Sequence, residues 1–386
     1  MSDDRPTSVD RRHFLITATG SLVAVAATAA VGAVPLAPPD KQPANLRVPG
    51  PPGKKIGYAI VGLGSLALNQ ILPAFVESNQ CAPTALVSGH RDKAEKVAAH
   101  YGIDPKNIYN YDNYDSIKDN QSVDAIYIVL PNSMHAEYTI RALKAGKHVL
   151  CEKPMANTAA ECEEMIAAAQ AANRKLMIAY RLHYEPFNNA LIKVVRDEEF
   201  GRLRVVLADA GFPIGDPTQW RLNKKMAGGG SMMDIGIYAL NASRYLTGEE
   251  PVEVNAMIET TPNDPRFREV EENISFQLRF PSGVLANCTS SYGAPLNRFR
   301  VVGTGGWAEL EPALSYDGLK MRAGTWTKIE ERIQPVVNHF SAEMDHMSDC
   351  VTANKAPLTA GEEGLKDLRI IESIYKSAAA HAPVKL

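Results

Sequence analysis

Asp234 and Tyr238 are spaced to present two reactive groups on one face of a helix, since residues four apart project in the same direction. A phenol can accept or donate a proton, although its ordinary pKa of about 10 makes it a poor base at neutral pH. A nearby ammonium such as that of Lys153 would lower this pKa by favouring the phenolate. Structural interpretations stay open: Ser231 and Asp234 have the spacing of a capping box, and Tyr238 could be a core aromatic.

A glycine pattern predicts a site for a dinucleotide. Tyr58–Val61 is a short apolar run typical of a buried parallel strand, and the next residues read G-x-G-x-x-A. Gly62 would permit a tight turn, Gly64 would let the backbone approach a pyrophosphate, and Ala67 would let a helix pack closely. The phosphates would lie where that helix begins and its N–H groups point outward. The residues expected around them are Gly62, Gly64, Ser65 and Leu66.

The end of the next strand indicates which dinucleotide is bound. Ala82–Ser88 reads as that strand, and Ser88-Gly89 stand where an NAD-preferring site usually has an acid for the ribose hydroxyl. Arg91 and Lys93 follow, and a guanidinium suits a 2′-phosphate through paired hydrogen bonds. The sequence therefore predicts NADP over NAD, unless Arg91 and Lys93 are solvated residues at the start of a helix.

Alternating strands and helices predict a parallel, doubly wound sheet. Val123–Leu130 and His148–Cys151 read as strands, and Glu137–Ala145 and Thr158–Ala172 as helices. Because ligands bind beyond the carboxyl ends of such strands, the residues that follow each strand should meet in one crevice. His135 could instead be a helix-start residue without a ligand. The further residues expected at this crevice are Leu130, Pro131, Asn132, His135, Glu152 and Lys153.

The second half of the chain alternates apolar and polar residues. This period of two runs through Val252–Ile258, Ile274–Phe280 and Val284–Tyr292. Amphipathic helices follow near Phe340–Thr352 and Gly361–Ala380. The whole pattern predicts an α/β protein with an N-terminal Rossmann sheet and a C-terminal α+β domain built on a large, mostly antiparallel sheet. The open, half-apolar face of that sheet would be a natural interface for a homo-oligomer.

Composition excludes some classes of function. The formal net charge of -3, with acids and bases interspersed, argues against a nucleic-acid partner. The five cysteines are scattered without a CxxC or Cys/His cluster. We therefore expect single buried thiols, with neither a metal site nor a disulfide framework.

The N-terminus reads as an export signal. Arg11-Arg12 precede a weakly apolar stretch that ends in small residues, which is typical of a twin-arginine leader. A membrane anchor is the alternative, but the stretch is near the minimum for a span and weakly hydrophobic, so we expect no stable membrane insertion after its removal. The predicted order is a leader over residues 1–33, a proline-rich arm over 34–53, an NADP-binding Rossmann domain over 54–179 and a substrate-binding and oligomerisation domain over 180–386.

Two stretches resemble a known family. They read "CEKPMANTAAECEEMIAAAQAANRKLMIAYRLHYEPFN" and "AGGGSMMDIGIYALNASRYLTGEEPVEV" and are similar to the glucose–fructose oxidoreductase family of NAD(P) enzymes, from about Lys55 to the C-terminus. Many relatives carry His where this chain has Tyr238. That tyrosine, the leader and the Ser88-Gly89 strand end look most like the exported, aldose-acting branch of the family.

The resemblance implies a two-domain subunit, tightly held NADP, and dimers or tetramers built through the open sheet face. It also implies catalytic roles for Lys153, Asp234 and Tyr238, with Lys153 orienting the substrate hydroxyl and the nicotinamide ribose and Asp234 near the substrate. Five further residues are implicated: Tyr180 and His183 at the sugar, and Arg181, Trp220 and Arg221 at the cofactor, where Arg181 could also line the sugar site.

Export constrains the reaction, because an exported enzyme has no cytosolic pool to reoxidise a dissociated cofactor. A retained NADP could be reduced by one sugar and reoxidised by a second carbonyl compound in the same site, which is ping-pong chemistry. We therefore expect a periplasmic oxidoreductase that is exported folded, oxidises an aldose to its lactone and reduces a second aldose or ketose to an alditol. Two alternatives stay open: an NAD-dependent glycosidase of the same fold, and a non-catalytic exported sugar-binding protein.

Overall fold

The computed structural model describes residues 55–386. The predicted leader and proline-rich arm, residues 1–33 and 34–53, lie outside the described residues and stay predictions. All five cysteines lie in the described part and are buried, unpaired thiols, as expected. Within residues 55–386, no helix combines the length and apolar character needed to cross a bilayer, and no group of His, Cys, Asp and Glu could hold a metal ion.

The first sheet of the described chain is parallel throughout. Its strands are β1 (Ile56–Val61), β2 (Cys81–Val87), β3 (Ile108–Tyr109), β4 (Ala125–Ile128), β5 (His148–Glu152) and β6 (Leu176–Ala179). They lie in the order β3-β2-β1-β4-β5-β6, so the direction of winding reverses between β1 and β4. Nearly every strand residue is buried, because helices cover both faces. The predicted doubly wound sheet is confirmed, and its crevice opens at the carboxyl ends of these strands.

The helices of this first layer follow the predicted alternation. They are α1 (Leu72–Ala74), α2 (Arg91–Tyr101), α3 (His135–Lys144) and α4 (Ala159–Ala172). The next helix, α5 (Pro186–Arg196), packs instead against the strand Trp307–Leu310 and the helix Ile237–Thr247 of the second layer. The helix predicted after the glycine turn begins with a π-helical turn over Ala67–Ile71. At the start of α4, Thr158 and Glu161 form a reciprocal capping box, which satisfies two backbone N–H groups that the helix leaves free.

The second sheet is mixed and mostly antiparallel. Its strands in the described chain are β7 (Leu203–Gly211), β8 (Glu253–Glu259), β9 (Asn273–Arg279), β10 (Leu285–Ser291), β11 (Leu296–Gly303), β12 (Trp307–Leu310), β13 (Met321–Gly324), β14 (Ile329–Arg332) and β15 (Val384–Lys385). Their order is β14-β13-β12-β11-β7-β10-β9-β8-β15, and the β7–β10 pair is parallel. In β9 the apolar residues are buried and the polar residues between them exposed, which confirms the predicted period of two.

Four helices complete the described chain: α6 (Lys224–Ala227), α7 (Ile237–Thr247), α8 (His339–Thr352) and α9 (Gly361–Ala380). α7 packs against β7 and β10, while α9 packs between β8 and α4. α8 returns to the first sheet, where Phe340, Met344 and Met347 lie in the same core as Tyr58 and Ile60. The two layers are therefore joined by packing as well as by the chain, which fixes the crevice between them.

The face of the second sheet that α7 leaves uncovered is more polar than the half-apolar face expected. Arg298 binds Asp209 across β11 and β7 at 2.6 Å, and Gln277 binds Asn287 across β9 and β10 at 2.8 Å. Met257 and Leu285 are exposed apolar residues on this face, with 74% and 40% of their surfaces exposed. The sheet presents cross-strand polar pairs to its surroundings.

Candidate active site

Two adjoining cavities lie beyond the carboxyl ends of the first sheet. The first, of about 410 Å³, extends from the glycine turn along the ends of β1, β2 and β4 to β5. The second, of about 740 Å³, extends from β5 to α7 and the segment that follows β12. Glu152, Lys153, Arg221 and Asp234 line both cavities. The candidate catalytic residues Lys153 and Asp234 therefore stand where the two cavities meet.

The glycine turn has the geometry that a dinucleotide needs. Gly62 has a φ of +93°, and a Cβ at this position would lie 2.3 Å from the carbonyl oxygen of Val129, so only glycine fits. At Gly64 a Cβ would meet nothing within 4 Å, which leaves the backbone open to the first cavity. Ser65 and Leu66 continue the cavity wall at the start of the helical segment. This open, glycine-lined cradle fits a pyrophosphate.

The two cations predicted to bind the cofactor, Arg91 and Lys93, follow β2 but differ in their surroundings. Ser88, Gly89 and Lys93 line the first cavity, and the Lys93 ammonium donates to the carbonyl of Leu63 at 2.7 Å. Arg91 does not line the first cavity, and its contact with the cofactor stays a prediction. Its guanidinium pairs with Glu95 at 2.8 Å and donates to backbone carbonyls of the loop before β3. Among the described residues that wall this end of the cavity, which are Ser88, Gly89, His90, Lys93 and Tyr111, none is a carboxylate.

The loop after β4 contributes Leu130, Pro131 and Asn132 to the first cavity. His135 is fully buried behind this loop and does not line the first cavity, so its predicted contact with the cofactor has no support in this structure and stays a prediction. Its two ring nitrogens lie 2.8 Å from the carbonyl oxygens of Leu130 and Pro154. Burial lowers the pKa of His135, and the contacts with these two carbonyl groups oppose that shift. The ring instead braces the loops that follow β4 and β5.

Lys153 and Asp234 form the centre of the site. The Lys153 ammonium donates to the Asp234 carbonyl oxygen at 2.5 Å and lies 3.4 Å from its Oδ1. The Arg221 Nε and the Tyr292 hydroxyl each donate to Asp234 Oδ2 at 3.0 Å. Burial opposes ionisation of Asp234, but Arg221 and Lys153 outweigh it and hold the pKa of the carboxyl below its usual value. Asp234 is therefore a carboxylate that fixes the position of the ammonium.

Tyr238 lies against two cations in the second cavity. The Arg181 Nε donates to the Tyr238 hydroxyl at 3.2 Å, and the Lys153 Nζ lies 4.7 Å from the centre of the ring. Burial lowers the pKa of Lys153, but its interactions with Tyr238 and with the Asp234 carboxylate outweigh burial and raise that pKa, so the ammonium stays protonated. Lys153 and Tyr238 are brought together as the sequence predicted, although the hydroxyl contacts Arg181 rather than the ammonium.

Arg181 lines the second cavity and not the first, to which it was assigned. Its buried guanidinium donates to the Leu314 carbonyl at 2.5 Å and lies 4.8 Å from the centre of the Tyr316 ring. Trp220 and Arg221 do line the first cavity, as predicted, with the Arg221 guanidinium 4.6 Å from the indole ring. They close the cavity on the side opposite the glycine turn.

A π-helical turn over Met232–Gly236 carries Asp234, directly before α7. Ser231 makes no side-chain cap, so the capping-box interpretation does not hold. The buried carboxylate of Glu271 takes its place, accepting the N–H groups of Gly230 and Met232 at 2.8 and 2.9 Å. Glu271 thus orients the turn that aims Asp234 at Lys153.

Tyr180 and His183 were predicted at the sugar, but neither lines either cavity. Tyr180 is buried, and the Nε2 of His183 lies 2.8 Å from the Asn241 side-chain oxygen. The ring of His183 packs edge-on against Tyr245 at 4.8 Å. Both residues connect the helices of the second layer, and their contact with the substrate stays a prediction.

Three residues at the site were missed from the sequence. Tyr316 follows β12 in an irregular segment, where no periodic signal marks it. Tyr292 lies one residue past β10 and reaches Asp234 with its hydroxyl, and a tyrosine directly after a strand is a signal that could have been used. Glu271 belongs to a pair of acids directly before β9, and two buried acids beside a strand are unusual enough to suggest a partner.

Two family descriptions match the chain. The model described as the oxidoreductase family with an NAD-binding Rossmann fold matches residues 56–180. The model described as the GFO/IDH/MocA C-terminal domain matches residues 189–309.

Individual relatives are similar over most of the chain. D-xylose 1-dehydrogenase [NADP(+)] of Haloarcula marismortui is 33% identical over 344 residues, which cover 86% of this chain and 93% of that protein. The crystal structure of aldose-aldose oxidoreductase from Caulobacter crescentus complexed with glycerol has 52% identity and a TM-score of 0.85 over 86% of this chain and 100% of that one. A 3-ketoreductase from Actinomadura kijaniata in complex with NADP, at 23% identity and a TM-score of 0.75, covers 84% of this chain and 98% of that chain and shares the fold.

Proposed function

This chain belongs to the GFO/IDH/MocA family and is a sugar oxidoreductase with an NAD(P)-binding Rossmann domain, and from that premise we propose a more specific reaction. The protein holds NADP tightly, oxidises an aldose to its lactone and then reduces a second aldose or ketose to an alditol in the same site. It acts in the periplasm.

The meeting of the two cavities at Lys153 and Asp234 is the observation that carries this proposal. The first cavity is long and glycine-lined, as a dinucleotide requires, and the second is large enough for a sugar. Since the same two residues line both, a sugar carbon and a nicotinamide can meet beside one set of proton-transferring groups. The aldose-aldose oxidoreductase of Caulobacter crescentus, at 52% identity, supports a reaction between two sugars.

The residues present fit NADP. Ser88 and the Lys93 ammonium line the cavity at the end of β2, where a 2′-phosphate would meet a hydroxyl and a positive charge. When bound, the nicotinamide supplies hydride acceptance and return. The similarity to an NADP(+)-dependent xylose dehydrogenase favours the same cofactor here.

We assign the proton transfer to Tyr238. In the oxidative half-reaction its oxygen accepts the proton of the sugar hydroxyl, and in the reductive half-reaction it returns a proton to the new alcohol. Arg181 at 3.2 Å and Lys153 above the ring stabilise the negative charge that this oxygen carries before it accepts the proton and again after it returns it. Asp234 and Arg221 keep Lys153 in place, which orients the substrate hydroxyl.

Retention of the cofactor follows from enclosure and from export. Trp220 and Arg221 cover the first cavity from the second layer, so a bound dinucleotide would be held between two walls. A twin-arginine leader carries a folded protein, so the cofactor would be loaded before export. The arm over residues 34–53 would add to retention by covering the adenosine half.

We also propose that the protein is a homo-oligomer, a dimer or a tetramer, formed through the uncovered face of the second sheet. Its cross-strand polar pairs, such as Arg298–Asp209, and the exposed Met257 offer both hydrogen-bonding and apolar contacts to a second copy. Sedimentation of the mature protein checks this, and a monomer at micromolar concentration would contradict it.

The reaction is tested with purified mature protein and no added cofactor. Denaturing the protein should release NADP in near-equal amount to the chain. Mixing the native protein with candidate aldoses should then yield lactone and alditol in equal amounts over many turnovers.

Other outcomes assign a different function. Turnover that needs fresh NADP in every cycle would indicate an ordinary dehydrogenase, like the xylose 1-dehydrogenase relative. Release of nitrophenol from a synthetic glycoside would indicate glycosidase chemistry. An unchanged reduced-nicotinamide absorbance with every sugar would indicate a binding protein.

A further inference from the structure

A buried cluster of two carboxyl groups and one phenol lies directly behind the site. Glu152 ends β5, Tyr127 lies on β4, and Glu343 projects from α8. The Tyr127 oxygen is 2.8 Å from Glu152 Oε1 and 3.0 Å from Glu343 Oε1. All three side chains are buried. We refer to Glu152, Tyr127 and Glu343 as the carboxyl cluster.

The geometry of the carboxyl cluster requires an extra proton. Both contacts have the length of an O–H···O hydrogen bond, yet the Tyr127 hydroxyl carries a single hydrogen. If Glu152 and Glu343 were both ionised, one of the two contacts would join bare oxygens. A proton on one carboxyl supplies the missing hydrogen, so that this carboxyl donates to Tyr127 and Tyr127 donates to the other.

Glu343 is the carboxyl that holds this proton at rest. Its second oxygen, Oε2, has no hydrogen-bond partner among residues 55–386. Burial raises the pKa of Glu152 as well, but the neighbouring cations of Lys153 and Arg181 lower it and so oppose that shift. Burial, followed by the charge of Glu152, raises the pKa of Glu343 well above its ordinary value. Four other titratable groups near the carboxyl cluster are neutral at neutral pH: Tyr58, Tyr184, Tyr316 and His339.

Glu152 connects the carboxyl cluster to the reacting groups. It lines both cavities, and in the second cavity it shares the wall with Lys153 and Tyr238. Glu343 lies deeper, on the far side of Tyr127. Glu152 is therefore the member of the carboxyl cluster that lines the space in which the substrate would release its proton.

We propose that the carboxyl cluster is a proton store for the reaction. It holds one shared proton while the cofactor is oxidised, takes a second, on Glu152, when the sugar hydroxyl is oxidised, and gives that proton back when the second carbonyl is reduced. The electron pair and hydrogen of the sugar C–H bond go to the nicotinamide, and the O–H proton goes through Tyr238 to Glu152. In the reductive half each returns to the second sugar, so the cycle balances. This inference rests on the proposed function.

The change in charge on cofactor reduction explains why Glu152 would take up a proton. Reduction removes one positive charge from the site, and a buried carboxylate that lines the same cavity then binds a proton more readily. The retained cofactor makes such a store useful, because every proton released in one half-reaction is needed in the next.

The resting proton is tested by infrared spectroscopy of the NADP-loaded protein at neutral pH. The wild type should show the C=O stretch of a protonated carboxyl, which the isosteric Glu343→Gln removes. Glu309→Gln is the matched control, because Glu309 is also buried but is bound by Arg300 and Arg322 and should leave this band unchanged. Absence of the band in the wild type, or its persistence in Glu343→Gln, would overturn the proposal.

Proton uptake is tested by reducing the bound cofactor chemically with dithionite and recording the infrared difference spectrum. A new protonated-carboxyl band should appear in the wild type and be absent from Glu152→Gln. If that variant does not fold, Tyr127→Phe, which removes the bridge, should shift the same band. A difference spectrum without a carboxyl band would refute uptake.

A third experiment, with an aldose as the reductant, distinguishes a failure of this inference from a failure of the proposed function. In weak buffer with a pH indicator, the wild type should release fewer than one proton for each nicotinamide that an aldose reduces, and Glu152→Gln about one. Equal release would contradict the store. If no aldose reduces the cofactor, the proposed function fails, and the dithionite spectrum alone decides whether Glu152 takes up a proton.

Discussion

Replacing Tyr238 with Phe removes the group that is proposed to carry the proton and leaves the ring in place. The phenyl ring still packs over the Lys153 ammonium, and Arg181 keeps its bond to the Leu314 carbonyl. The variant loses one hydrogen bond of 3.2 Å beside a cavity that water can enter, so we expect the free energy of unfolding to fall by about 1 kcal/mol.

The catalytic effect should be much larger than this structural cost. Positioned acid–base groups contribute about 10²–10⁴-fold in rate, which corresponds to about 2.7–5.4 kcal/mol of activation free energy. Tyr245→Phe is the matched control, because Tyr245 lies on the same helix and its hydroxyl donates to the buried Asn188 at 2.9 Å, away from both cavities. This control should lose similar stability and keep its rate.

The assay is a single turnover of the retained cofactor. Each variant is mixed rapidly with an aldose, without free coenzyme, and reduction is followed by nicotinamide absorbance, with thermal unfolding measured in parallel. A rate for Tyr238→Phe within about threefold of that for Tyr245→Phe would show that the phenol does not transfer the proton.

Four further predictions follow from the geometry. Because the folded pKa of Asp234 is depressed, its stabilisation is complete above its unfolded pKa of about 4 and is lost as the pH falls towards the folded value, so urea titrations should show a smaller acid loss in Asp234→Asn. Ser88→Asp should shift the ratio of recovered NADP to NAD towards NAD by at least about tenfold, because a carboxylate repels a 2′-phosphate; an unchanged ratio would contradict the site. Gly62→Ala should destabilise the protein even without nucleotide, by about 1–3 kcal/mol, whereas Gly64→Ala should keep its stability and lose nucleotide on gel filtration. Deleting residues 34–52 should speed release of the cofactor from the purified protein, and unchanged retention would remove the proposed role of the arm.

The first layer could be predicted from the sequence because its signals are local. A buried strand followed by G-x-G-x-x-A specifies both the turn at Gly62 and the open backbone at Gly64, and the structure has both. Lys153 could be placed because the carboxyl ends of parallel strands meet at one edge. These features depend on neighbours within a few residues.

The direction of individual side chains could not be predicted in the same way. Arg91 and Lys93 are two apart at the start of α2, so they point to different sides, and the salt bridge to Glu95 draws Arg91 away from the cavity. Arg181 and His183 likewise share a short 3₁₀ segment, yet one faces the second cavity and the other α7. A motif places such a segment without saying which member faces the ligand.

Groups that arrive from distant segments were beyond sequence reasoning altogether. Glu271 caps the turn of Asp234 from the approach to β9, and Glu343 meets Glu152 from a helix nearly two hundred residues later in the chain. No local pattern pairs them, because their partnership depends on how α8 docks. For the second layer, the sequence predicted the sheet with its period of two and the two C-terminal helices, but not how these helices dock.

The return of α8 beneath the first sheet makes the nucleotide-binding half a discontinuous fold. A fragment truncated after β6 would lack Phe340, Met344 and Met347 and would leave Tyr58 facing water. The Rossmann half should therefore not be obtainable as a free-standing fragment. A chimera built to transplant the sugar specificity of a relative would need its second junction before His339, so that the recipient keeps its own α8.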